Sequence, residues 1–113
     1  MIFVKDFDKI LETEYCGRFD DIRKKMMIMS FYKYGPLKEN YESQGTINAI
    51  GSLEKRLAKY KETGNTEFLA DIANFAMIEF MFPQHKEAHY TPTDSGSCKI
   101  DGFGINEIKN WRE

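Results

Sequence analysis

Four carboxylates and one amide have the types and spacing to do chemistry in this chain. Glu67, Asp71 and Asn74 stand at i, i+4 and i+7, and at about 100° per residue they fall within roughly 60° of one another on a helix. Around that stripe the segment GNTEFLADIANFAMIEFMFP (64–83) is almost wholly apolar, which predicts a helix buried on nearly all sides. Carboxylates on such a helix need a metal ion, a basic side chain or a water-filled pocket, because an unpaired buried charge is strongly unfavourable. Upstream, Glu39 and Glu42 form an ExxE pair in KENYE. Oxygen ligands from two helices suit Mg²⁺ held beside a phosphate, so Glu39, Glu42, Glu67 and Asp71 are the candidate metal set. The plainer reading of Glu39 and Glu42 is a surface pair in a chain with 18 acids.

Basic groups come next. Lys55, Arg56 and Lys59 lie on the helix that precedes the carboxylate helix, where they would neutralise Glu67 or Asp71 or hold phosphates; the competing reading is a solvated charged face. Further on, TDSGS offers backbone N–H groups that could nest an anion, without the lysine or spacing of a P-loop. The candidate ligand-binding set is therefore Arg56, Lys59, Glu67, Asp71, Asn74, Thr93, Asp94 and Ser95. His85 and His89 would share a helix face only if the segment between Pro83 and Pro92 were helical, and no third ligand is near for zinc.

An ExxE pair, a spacer and then a carboxylate pair on a strongly apolar helix resemble the all-α nucleotide pyrophosphohydrolases of the MazG type, over about residues 36–82. That resemblance implies a helical bundle holding Mg²⁺ with those carboxylates and cleaving nucleoside triphosphates between the α and β phosphates. The family's second half carries ExxD, whereas Phe68 stands here at the position of the expected ligand, which tilts the reading from cleavage toward binding. The stretch ETGNTEFLADIANFAMIEFMFPQH also resembles small phage and prophage proteins without an assigned activity.

The elements that must position these residues follow from periodicity. Phe7, Ile10 and Leu11 mark a short first helix, broken at Tyr15, Cys16 and Gly17. A second helix is predicted over about 20–34, its apolar set Ile22, Met26 and Met29 leaving Arg23, Lys24 and Lys25 in solvent; Gly35 and Pro36 close it. LKENYESQ would make two helical turns. Ile47, Ile50, Leu53, Leu57 and Tyr60 predict an amphipathic helix from Thr46 to Thr63 with Gly64 as its stop, and Gly51 in its middle suggests a close helix crossing. The carboxylate helix follows at once, capped by Asn65 or Thr66 and ended by Pro83, so the last two helices form an antiparallel hairpin. Residues 83–104 read as a long polar loop, and Ile105, Ile108 and Trp111 as a short C-terminal helix. The expected fold class is all-α: a single domain over 1–113 with four main helices in a small bundle.

Composition bounds the partners. With 42% hydrophobic residues, 30% charged residues and a net charge of −2, the chain is neither disordered by composition nor a polyelectrolyte partner for nucleic acid. Cys16 and Cys98 have no CxxC spacing, and no apolar run reaches the length of a membrane span, so the expectation is a soluble, reduced, cytoplasmic protein, in a host cytoplasm if phage-encoded. Its abundant aromatics and six methionines would fill a core or cover a homo-oligomer interface. Three functions remain in play. The leading one is binding of a nucleotide or cyclic nucleotide, with Tyr34 or Tyr41 stacking on the base, which in a phage-type protein would sequester a host defence signal. The second is Mg²⁺-dependent pyrophosphohydrolysis. The third is inhibition of a host enzyme by surface contact, with the polar stripe serving as an internal ion pair.

Overall fold

The computed structural model describes residues 6–42 and 47–93, apart from the side chain of Glu42. Four helices and a single π-helical turn follow in order: α1 Asp6–Glu14, α2 Gly17–Tyr34, the π turn Lys38–Glu42, α3 Ala49–Thr63 and α4 Glu67–Met81. Among the described residues there is no strand, and the fold is all-α. The expected polar loop is non-helical from Phe82 to Thr93; its remainder, including Asp94 and Ser95, lies outside the described residues, as do Cys98 and the expected C-terminal helix.

Local chemistry explains the ends of the hairpin formed by α3 and α4. Asn48, in extended conformation, caps α3 by accepting the Gly51 N–H on its side-chain oxygen at 2.9 Å. A Cβ at Gly51 would come within 2.9 Å of Asn48 Nδ2, so the glycine makes room for the cap. The expected helix crossing at Gly51 is corrected accordingly: what approaches closely is the capping side chain. Gly64 adopts φ 72° and returns its N–H to Tyr60 O at 2.8 Å, a left-handed stop that glycine takes without strain. The next residue, Asn65, accepts the Glu67 N–H at 3.1 Å and starts α4.

A small apolar cluster of Tyr41, Ala49 and Ile78 joins the π turn, α3 and α4, flanked by Met27, Leu37, Ile47, Phe75 and Phe82. Gln84 closes it from the chain after α4 by donating to Tyr41 O at 2.7 Å. Tyr41 is thus a core residue that also borders the cavity beside α2. Burial along α4 is also narrower than its composition predicts. Ala70, Asn74 and Ile78 are buried, but Ala76, Phe80 and Met81 are exposed, because α3 and α2 cover one side of the helix while Ala76 and Phe80 meet, among the described residues, only the non-helical chain 83–90.

The second helix is one turn longer than predicted and sits differently. Arg23, expected in solvent, is half-buried toward α4, and Met29, expected inside, is exposed. An apolar residue on nearly every side makes the periodicity of α2 weak, so contacts with α4, such as the Asn74 bond to Arg23 O, decide its rotation; within the helix Arg23 reaches Asp20 at 3.1 Å and lies over the Phe19 ring at 5.7 Å. No residue of α1 or α2 is fully buried.

Candidate functional site: a cleft between α2 and the hairpin

α2 and the α3–α4 hairpin enclose an open cleft of about 1460 Å³. Its floor is α4, because i, i+4 and i+7 turn Glu67, Asp71 and Asn74 toward the same wall, together with Ala70 and Ile78. Arg56 of α3 enters the same wall. Four of the sequence-predicted ligand residues, Arg56, Glu67, Asp71 and Asn74, therefore border one cavity. Lys59 and Thr93 are exposed and do not line it.

The polar stripe is partly satisfied within the fold. Arg56 donates from Nε to Asp71 Oδ2 at 3.2 Å, while its guanidinium lies over the Phe75 ring at 6.0 Å. This pair crosses from α3 to α4 and is half-exposed on both sides. It uses one of the five N–H donors of the guanidinium, and among the described residues Arg56 makes no other hydrogen bond. Asn74 is 5% exposed and donates from Nδ2 to Arg23 O at 3.2 Å, tying α4 to α2. Its Oδ1 accepts nothing among the described residues. A buried amide oxygen without a donor is rare, because desolvation is left uncompensated.

Glu67 is exposed in the first turn of α4, where a negative charge is favoured by the helix N-terminus without any ligand. Glu39 is exposed on the π turn and is not part of the cleft wall. Among the described residues no group of three His, Cys, Asp or Glu is placed to hold a metal ion, and the Glu42 side chain lies outside them. Glu39, Glu67 and Asp71 are not brought together into one Mg²⁺ site. His85 and His89 lie in a non-helical turn, each bonded through Nδ1 to the backbone of Glu87.

One cluster escaped the sequence reading. Tyr15 donates its hydroxyl to Asp20, which also takes Arg23, so the elbow between α1 and α2 is braced by a tyrosine–carboxylate–guanidinium chain. The Tyr15 hydrogen bond, followed by Arg23, holds the Asp20 carboxyl below its usual range, and the same bond raises the Tyr15 hydroxyl above 10. The i, i+3 spacing of Asp20 and Arg23 was the available signal.

The fold and cleft define an all-α protein with an open interhelical cavity, apolar along most of its wall and polar at one end. No family model, curated protein or solved structure matches the chain. No helix among the described residues is long and apolar enough to cross a membrane.

Proposed function

We propose that the protein binds a nucleotide, or a phosphate ligand with a similar base, in the cleft between α2 and the hairpin. The observation that carries this reading is Asn74: a buried amide whose oxygen awaits a donor, in the wall of a cavity large enough for a nucleotide. An exocyclic base amine would supply the missing donor to Asn74 Oδ1. The remaining N–H groups of Arg56 would meet phosphate oxygens, with Asp71 holding the guanidinium in place. Met26, Leu69 and Phe75 would cover the base. Sequestration of a host nucleotide signal by a phage-type protein is the biological form this binding would take.

The test is incubation with nucleoside triphosphates and cyclic nucleotides, with and without Mg²⁺, followed by chromatography before and after heating. A nucleotide removed from solution and returned intact on heating supports the proposal. Asn74→Ala should then weaken that binding by about tenfold or more. Mg²⁺-dependent monophosphate and pyrophosphate would replace binding with pyrophosphohydrolysis, and recovery of every nucleotide unchanged and unbound would overturn both.

A second reading, inhibition of a host enzyme by surface contact, is favoured by one observation. Ile28, Met29, Phe31, Tyr32 and Phe80 are exposed on α2 and α4, an apolar surface of the kind that protein partners cover.

A further inference from the structure

We propose that a second copy of this chain covers the outer face of α2, with α1 of each copy packed on α2 of the other. α1 presents Phe7, Ile10 and Leu11 at i, i+3 and i+4, an apolar stripe with no fully buried residue. On α2 the half-buried Phe19, Ile22, Arg23, Met26 and Met27 mark the side toward α4, and Ile28, Phe31 and Tyr32 turn away from it, 57%, 55% and 82% exposed, with Ile28 and Phe31 also reaching the mouth of the cleft. Two apolar stripes in one chain thus lack a cover among the described residues.

Charge pairs the two stripes with each other. α1 carries four acids and one lysine, net −3, and α2 carries five bases and two acids, net +3. Lys24 and Lys25 are exposed one turn before Ile28, where Glu14, on the apolar side of an incoming α1, would meet them. The chain's own α1 falls short of that face. At about 1.5 Å per residue, Phe7 lies about 10 Å from the end of its helix, while Ile28 lies about 16 Å and Tyr32 about 22 Å from the start of α2. Only Tyr15 and Cys16 join the two helices, and the Tyr15–Asp20–Arg23 brace holds that elbow. With Met29 and Tyr34 at the edges, the exposed apolar side chains of α1 and α2 present on the order of 800 Å² per copy, taking roughly 200 Å² for each large side chain, which is the half-share of a standard interface. The exchange is reciprocal, so a closed two-fold dimer satisfies both stripes at once.

Sedimentation of the full chain under reducing conditions, with no nucleotide present, tests this independently of the ligand reading. Reduction keeps a disulfide through the exposed Cys16 from mimicking association. A reversible dimer is expected, weakened by about thirtyfold or more in Ile28→Glu and in Phe31→Glu with unchanged far-UV circular dichroism. Reversing Lys24 and Lys25 to Glu should also weaken the dimer, and adding Glu14→Lys in the same chain should restore it. A monomer at high concentration, a dimer indifferent to both outer-face variants, or a charge reversal that its counterpart fails to rescue would each overturn the proposal.

Discussion

The α3–α4 hairpin and the α1–α2 arm contain a similar total length of helix, yet one half has a core and the other has none. In the hairpin, Asn48 and Gly64 set the ends of α3, a three-residue connection brings α4 alongside, and Ala49, Ala70, Asn74 and Ile78 are buried as a result. In the arm, α1 and α2 carry as many large apolar residues but bury none of them fully. Helix formation and core formation are therefore separate outcomes here. Caps and propensity make helices in both halves, and a core appears only where a short connection forces two apolar faces together.

The sharpest way to break this comparison is to truncate one isoleucine in each half. Ile78→Ala should destabilise the protein by about 2–4 kcal/mol in urea unfolding, because it empties a packed site against Tyr41 and Ala49. Ile28→Ala, measured at a dilution where only monomer is present, should change stability by less than about 0.5 kcal/mol. Equal effects would mean that the arm has a core after all. The hairpin's ends come next. Gly64→Ala places a Cβ in the left-handed region, and Asn48→Ala removes the α3 cap; each should cost about 1 kcal/mol by the same measurement.

Smaller again is the tie across the hairpin. Both partners of Arg56–Asp71 are substantially solvent-exposed, so screening leaves a double-mutant cycle with Arg56→Ala and Asp71→Ala a coupling of only about 0.5 kcal/mol. A much larger coupling would make the pair a structural strut and leave Arg56 less free to meet a phosphate. The smallest effect lies at the elbow of the arm. Asp20 titrates low because Tyr15 and Arg23 bond to its charged form, so the stability it contributes is present above the ordinary carboxylate range and is lost as pH falls through its depressed value. Tyr15→Phe should move the Asp20 titration, followed by NMR, back up toward 3.8. Tyr15 itself is raised, so its contribution is present below pH 10 and lost as pH rises through the higher value.

Much of the helical layout was legible because its signals are local. Gly64 as a stop, the Asn65 start and the heptad-like recurrence of Ile50, Leu53, Leu57 and Tyr60 each depend on a few neighbouring residues. The candidate site was legible in part for the same reason: the spacing of Glu67, Asp71 and Asn74 places them on one wall of the cleft whatever the rest of the chain does. Arg56 as their basic neighbour followed from the hairpin, since a short connection brings the end of one helix beside the start of the next. The rotation of α2 was not legible, because apolar residues occur around its whole circumference and several faces would serve equally well as the buried one. The burial of Tyr41 was not legible either, because it comes from Ala49 and Ile78, distant in sequence, and from the Gln84 bond to its carbonyl.

The sequence by itself determined the all-α character, the α3–α4 hairpin and the shared face of Glu67, Asp71 and Asn74, because helical period, caps and stops act over one or two turns. Tertiary structure alone decided which of those polar groups are spent and which are left over. Asp71 is paired and Glu67 stays at the surface. Asn74 is buried with one amide atom bonded to α2 and the other unpaired, since α2 happens to bring a carbonyl to one side of it and an open cavity lies along the wall it occupies. Such pairings depend on how helices settle against one another, and the free energies that set them are small sums over contacts far apart in the chain.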